Sequence, residues 1–318
     1  MMYFTRLLDS ALVTWQRQGL IPAYPPMIGQ EAAQVGSALA LDRDRDFVFP
    51  TYRELGVAVA WGVDLSGYLA NHSGHWHGGR WNAAESRFAP IQAVVGGGVT
   101  HAVGWALGRR LDGASAVAIA YLGDGASSEG DVHEAMNFAA VLRAPVVFFV
   151  QNNRWSLSVP LERQVAGGSV AARAAGYGIP GVVVDGDDLL AVYQATSDAA
   201  AHARSTGGPI IVEAMTYRRG PHATSDDTGR YRTIDDELSA GEDPLDRLLA
   251  TLHEAGIADD AWLAEVAQNA EVRVEELRLS TAGTEPIHGA EMFDLVFAES
   301  TPQLQRQQAH WREESDHV

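Results

Sequence analysis

Apolar residues recur at helical spacing over positions 4–18 and stop before Gly19. A proline-rich connector at 21–26 leads into Gly29-Gln30-Glu31-Ala32-Ala33, which opens a second helical run ending at 41. Positions 47–50 read as extended, and 52–61 return to helical spacing. The stretch 71–89, rich in Gly, His and Trp, has no clear period; Gly96-Gly97-Gly98 then precedes a helical run at 99–111. Beyond it, short β-branched runs alternate with helices: strands at 116–122, 145–150, 181–184 and 209–215, helices at 129–142 and 189–203. Continuous apolar strands between helices predict an α/β fold, a parallel sheet covered by helices on both faces. Positions 217–236 are polar, rich in Arg and Gly, and aperiodic; a loop that long in a compact domain is functional or mobile. Two amphipathic helices, 244–254 and 259–279, precede an acidic tail. The expected division is an α/β domain over 1–240, with a helical N-terminal appendage, and a helical C-terminal extension over 241–318.

Composition narrows what this fold can do. The chain has 318 residues, enough for a full core, and a formal net charge of −18. Such a surface repels polyphosphate backbones, so nucleic acid is not an expected partner. A few local arginines and helix N-termini can still hold a small anion. Cysteine is absent, which excludes a disulfide scaffold, a thiolate zinc site and a cysteine nucleophile together. Arg6 and Asp9 interrupt the N-terminal apolar run, and the strongest apolar stretch, 144–150, is too short to span a bilayer. No membrane is expected, and the cytoplasm is the expected compartment.

The sharpest chemical signal lies in the middle of the chain. One predicted strand ends in Gly123-Asp124-Gly125, a helix follows from near Ser128, and the next strand ends in Asn152-Asn153. A helix of about fourteen residues travels roughly 20 Å, and a six-residue strand returns about as far. Asp124 and Asn153 should therefore meet at the carboxyl ends of neighbouring strands, where open α/β sheets bind ligands. The glycines let the backbone approach a phosphate closely, and the helix N-terminus points at the same place. Asp124, Asn153 and the carbonyl of Trp155 would make an oxygen set suited to a hard cation such as Mg²⁺, with phosphate oxygens completing the octahedron. Either dipeptide alone reads as a turn or a strand end; both together, at this spacing, point to a site.

These residues resemble the thiamine-diphosphate motif of thiamine-dependent enzymes. The surrounding text, GDGASSEGDVHEAMNFAAVLRAPVVFFVQNNRWSLS, is similar to the alpha subunit of the decarboxylating component of 2-oxoacid dehydrogenase complexes, of the pyruvate dehydrogenase type. IGQEAAQVG, FPTYRELGVAVAWG, GIPGVVVDGDDLLAVY and RRGPHATSDDTGRYR fit the same pattern in order, so the likeness runs from about residue 6 to about residue 299. It implies the diphosphate-binding domain of the thiamine-diphosphate-binding fold, with thiamine diphosphate and Mg²⁺ as cofactors. Tyr52, Arg53 and Arg218 would contact the diphosphate, a task that suits a planar guanidinium. Gly123, Asp124, Gly125 and Ala126 would cradle it, Asp124, Asn153 and Trp155 would hold the metal, and the backbone near Val95 would meet the aminopyrimidine. His222 matches the histidine beside the reacting carbon and can shuttle protons near neutrality, while Tyr231 and Arg232 would order the loop. His75 and His77 resemble a second, substrate-side pair, with the role undivided between them.

The resemblance also implies a partner. In this family a beta subunit supplies the pyrimidine-binding half and the glutamate that activates the ring, so the expected assembly has two alpha and two beta chains. A lipoyl domain or similar carrier accepts the acyl unit released from a small 2-oxo acid, and Gln151 before Asn152 favours the pyruvate type. Three departures stand out. Ala223 occupies the position after His222 where mitochondrial relatives carry a regulatory phosphorylated serine, although Thr224 and Ser225 remain. Gly96-Gly97-Gly98 replaces bulkier residues near the pyrimidine wall. The chain begins later than most relatives, so contacts with a beta chain are expected to differ. Two other readings compete: a transketolase-like transferase taking a ketose phosphate, with positions 72–80 binding sugar or phosphate, and a non-catalytic structural or regulatory subunit. Retention of Arg53, Asp124, Asn153 and His222 argues against the second. The loop 217–236 is expected to be ordered only with cofactor, whose contacts must offset its entropy.

Overall fold

A computed structural model describes residues 1–74, 79–282, 289–294 and 296–315. The chain divides into two compact units, Met1–Thr281 and Ala282–Val318. The strands are β1 (Phe47–Phe49), β2 (Ala118–Gly123), β3 (Val146–Asn152), β4 (Trp155–Ser156), β5 (Val159–Pro160), β6 (Gly181–Asp185) and β7 (Ile210–Met215). Five of them form one sheet in the order β1-β2-β3-β7-β6 with every pairing parallel, and β4 and β5 make a small antiparallel hairpin.

Alternate residues of the same strand feed opposite cores, as a sheet covered on both faces requires. Ile119, Tyr121, Val147, Phe149, Val212 and Ala214 face one core. Ala118, Ala120, Leu122, Val146, Phe148, Val150 and Ile211 face the other. β3 is buried at all its positions. At roughly 1.5–3 kcal/mol per large apolar side chain, its Val-Val-Phe-Phe-Val run anchors the middle of the sheet. β6, one of the two edge strands, is mostly exposed despite its apolar text.

Helix Met2–Arg17 buries Phe4, Leu8, Leu12 and Trp15 on one stripe, as its spacing predicts. Helix Leu189–Thr206 begins where Asp188 accepts the N–H groups of Leu190 and Ala191. It packs against helix Glu31–Leu39 closely enough that a Cβ on Gly36 would lie 2.9 Å from the Leu189 carbonyl. Helices Pro244–Glu254 and Asp260–Ala282 supply Leu245, Ala270 and Leu277 to the first of the two cores. In the second unit, helix Pro302–Ser315 occupies part of what reads in sequence as an acidic tail.

Three local differences from the sequence expectation bear on function. The helix expected over 52–61 spans only Leu55–Trp61, because the Glu54 carboxylate accepts both the N–H (2.5 Å) and the hydroxyl (2.6 Å) of Thr51. That turn leaves Tyr52 and Arg53 outside the helix. A further helix, Leu65–His72, is capped by Asp64 where no element is expected. A 3-10 turn, Gly125–Ser128, intervenes before helix Gly130–Leu142. His75 and His77 lie outside the described residues. Among the described residues no helix is long and apolar enough to cross a membrane.

Candidate active site

The register places Gly123 opposite Gln151 and Asn152 opposite Met215, so three strands end side by side. Above those ends opens a cleft of about 210 Å³, lined by residues of the Thr51–Glu54 turn, the Gly-Asp-Gly turn, the β3–β4 connection, Val95, Arg218 and His222. Gly123, Asp124, Gly125 and Ala126 all line it. Gly125 must lack a side chain, since a Cβ there would collide with Ser156 Oγ. The turn is braced from behind by Arg173, whose Nη1 donates to the Ser127 carbonyl (2.6 Å) and hydroxyl (3.0 Å).

Asp124 is almost fully buried. Burial pushes its carboxyl up to about 6, opposed by hydrogen bonds that include one from Gln164 Nε2 at 3.1 Å. The two asparagines divide their work. Asn152 turns away from the cleft and donates to the buried Glu213 carboxylate at 2.7 Å, while its own Oδ1 accepts the Arg154 N–H. Asn153 lines the cleft; its Nδ2 donates to Gln30 Oε1 at 3.3 Å and its Oδ1 accepts the Trp155 N–H at 3.2 Å. Gln30 Nε2 is buried beside it with no partner of its own. The Trp155 carbonyl accepts from Arg218 Nη1 at 3.3 Å and retains a second lone pair.

Arg218 is fully buried, and its guanidinium donates only to neutral oxygens: the Leu157 carbonyl (2.8 Å), the Tyr231 hydroxyl (2.9 Å), and the Trp155 and Gly220 carbonyls. Burial, then the nearby Arg232, lower it to about 10, so it stays protonated near neutrality. Arg232 sits behind the cleft against the rings of Trp155, Tyr217 and Tyr231, with its Nε and Nη2 unpartnered. A buried cation bonded only to neutral oxygens and a buried carboxylate therefore share one cleft. The first calls for an anion and the second for a cation.

Arg53 ties the loop to the body. Its Nη1 donates to the Pro26 carbonyl, and its Nη2 reaches the His222 carbonyl (2.9 Å) and His222 Nδ1 (3.2 Å). Arginine can only donate, so Nδ1 is the acceptor and the proton of the neutral ring is on Nε2. Burial, then Arg53 and Arg218, push His222 down to about 4, which keeps the ring neutral. Asp226 accepts the His222 N–H (2.8 Å) and the Tyr231 hydroxyl (2.5 Å); these bonds hold its carboxyl below the ordinary range although burial opposes them. The Tyr52 ring meets the His222 ring edge-on at 6.1 Å.

Sequence reasoning missed Gln30, Glu54 and Gln164. Gln151 donates to Glu54 at 2.6 Å and accepts from Gln34 at 2.9 Å, forming a buried polar floor beneath the cleft. Glutamines and a glutamate scattered over 30–164 carry no spacing signal, so only the fold could collect them.

Known proteins place the chain in a family. Residues 1–291 match the family model described as "Dehydrogenase E1 component". The chain is 45% identical over 316 residues to the 3-methyl-2-oxobutanoate dehydrogenase subunit alpha of Mycobacterium tuberculosis, covering 99% of this chain and 85% of that one. It is 36% identical over 314 residues to the pyruvate dehydrogenase E1 component subunit alpha of Staphylococcus epidermidis, covering 98% and 84%. The chain therefore belongs to the dehydrogenase E1 component family, as a thiamine-diphosphate-dependent alpha subunit of the decarboxylating, 2-oxoacid type.

Proposed function

We propose that the cleft holds the magnesium-bound diphosphate of the cofactor, with Asp124, Asn153 and the Trp155 carbonyl as metal ligands. Tyr52, Arg53 and Arg218 would contact the diphosphate oxygens, and Gly123, Gly125 and Ala126 would let the backbone approach them. One observation carries this reading: Asp124 and Arg218, both buried and neither in a salt bridge, line the same cleft. An ion pair of Mg²⁺ and diphosphate satisfies both at once. Arg232, with two unpartnered nitrogens, and Tyr231 would order the loop around it.

When bound, thiamine diphosphate supplies the electron sink that lets a 2-oxo acid lose CO₂. This chain's part is to bind, orient and exclude water. Neutral His222, held through Nδ1 by Arg53, presents its Nε2–H as a hydrogen-bond donor to the reacting oxygen and can pass that proton during acyl transfer. His75 and His77 remain proposed for the substrate side. Val95, half exposed at the cleft mouth, would meet the aminopyrimidine through its backbone.

A beta subunit completes the site, in a proposed assembly of two alpha and two beta chains that alone is active, and a lipoyl domain is the proposed acceptor. The donor proposed is a short 2-oxo acid; 3-methyl-2-oxobutanoate and pyruvate, named in the relatives, are the first to offer. Gln151 lines the cleft with its amide bonded to Glu54 and Gln34. The test is to assemble the chain with its beta subunit, thiamine diphosphate and Mg²⁺, and to identify by mass spectrometry the cofactor adduct from each donor. An acyl-derived adduct lost in Asp124→Ala supports the reading. An adduct formed only from ketose phosphates overturns the donor and leaves the cofactor site standing.

A further inference from the structure

We propose that Asp9, remote in sequence from every motif residue, is a positioning residue for this active site: its buried carboxylate fixes the connector at 22–28, from which both Arg53 and the His222 loop are hung. The proposal rests on the roles given above to Arg53 and His222.

Asp9 lies on the buried stripe of helix Met2–Arg17 and is 1% exposed. An apolar residue at that point of the stripe would bury at no electrostatic cost, whereas a carboxylate there is pushed up to about 6 by burial. Its Oδ1 accepts two bonds, from the Tyr24 hydroxyl at 2.6 Å and from the Met27 N–H at 2.8 Å. Tyr24 lies in the proline-rich connector and Met27 just beyond it, in a stretch, 22–28, with no helix or strand to hold it. One carboxylate oxygen therefore clamps the connector on either side of Pro25-Pro26.

The other edge of the clamped segment carries the site. The Pro26 carbonyl accepts from Arg53 Nη1, and the same guanidinium reaches His222 through Nη2. Tyr24 and Thr224 pair in both directions: the Thr224 N–H donates to the Tyr24 carbonyl (2.9 Å), and the Tyr24 N–H donates to Thr224 Oγ1 (3.2 Å). The Arg219 N–H donates to the Ile28 carbonyl at 3.2 Å. Gly220 sits so close that an added Cβ would come within 2.9 Å of Ile28 Cγ2. Every one of these contacts depends on where residues 24–28 lie. Freed from Asp9, the connector would shift, and Arg53, Thr224 and His222 would shift with it. A misplacement of about 1 Å can cost on the order of a hundredfold in rate.

The test uses the assembled alpha–beta enzyme and two readouts besides turnover: the Kd for thiamine diphosphate at fixed Mg²⁺, and the rate of tryptic cleavage at Arg218, Arg219, Arg230 and Arg232. Asp9→Ala should raise the Kd and the cleavage rate at least about tenfold each. Asp9→Asn should stay within about threefold, because a single amide oxygen can accept both bonds. Leu12→Ala, on the same helix and fully buried, should lower the melting temperature while leaving Kd and cleavage near wild type. The proposal is overturned if Asp9→Ala leaves both readouts within twofold, or if Leu12→Ala moves them as far as Asp9→Ala does. Should Asp9→Ala not fold, Tyr24→Phe decides, since it removes one hydroxyl: a Kd at least threefold higher supports the proposal and an unchanged one overturns it. If Arg53→Ala and His222→Ala themselves change nothing, the reading of the site has failed; if they act and Asp9→Ala does not, only the positioning role has.

Discussion

Two walls of the cleft are built on opposite principles. The Gly-Asp-Gly and Asn-Asn wall grows directly from β2 and β3, the buried centre of a parallel sheet, and strand register brings its residues together. The opposing wall, residues 217–236, has only a 3-10 turn and a short helix and is tied down by side chains: Arg53 to His222, Asp226 to Tyr231, Thr224 to Tyr24. The oxygens proposed for the metal sit on the first wall, and Arg218 and His222, proposed for the diphosphate and for protons, sit on the second. A hard cation demands fixed oxygens, whereas acyl transfer requires a site that admits and releases a carrier. A wall fixed by backbone pairing and a wall fixed by side-chain bonds thus face one cleft.

The largest effect should come from the strand wall. Asp124→Ala should lower turnover of the assembled enzyme at least about a thousandfold and abolish Mg²⁺-dependent tightening of cofactor binding, while melting stays near wild type; a cofactor Kd that keeps its Mg²⁺ dependence would remove Asp124 from the metal site. On the loop wall, His222→Gln should lower kcat by about a hundredfold with cofactor affinity changed only a few-fold, since it removes a proton donor and not a phosphate contact. A parallel loss in Kd would instead make His222 structural. Gly125→Ala should weaken cofactor binding about tenfold through collision with Ser156, and Ser156→Gly in the same chain should restore much of it. Failure of the second change to rescue would place the strain elsewhere.

Acid sharpens the same contrast. Burial holds His72, whose ring lies edge-on to Tyr24 at 5.3 Å, down to about 4 against an ordinary 6.5. Stability contributed by a depressed histidine is present above 6.5 and is lost as pH falls through that value towards 4. His72→Phe should therefore lose less stability than wild type between pH 7.5 and 4.5, by about 2–3 kcal/mol in paired denaturation curves. Equal losses would show that His72 is already charged in the fold. The smallest signal is dynamic: without cofactor, amide hydrogens over 217–236 should exchange faster than those of β2 and β3, and slow on adding thiamine diphosphate and Mg²⁺.

Much of this was legible in the chain. The strands 116–122 and 145–150 are apolar without interruption and 209–215 is broken only by Glu213, a pattern that suits a two-sided sheet, and they correspond closely to β2, β3 and β7. Asp124 and Asn153 follow from strand ends and a helix of known rise. Other features were not legible. The helix over 65–72 went unread although Asp64 caps it, because the Gly- and His-rich text that follows hid its period. Nor could spacing reveal that Asn152 faces Glu213 while Asn153 faces the cleft, since adjacent residues on a strand end point to opposite sides.

By itself the sequence determined the layered α/β sheet, the meeting of Gly-Asp-Gly with Asn-Asn, and the family, because these rest on local periodicity and contiguous text. Only the tertiary structure decided which buried charges lack partners, which tautomer His222 adopts, and that Asp9, Arg53 and Thr224 converge on one connector. Those depend on contacts between residues up to about two hundred positions apart, and long-range proximity leaves no periodic trace in a single chain.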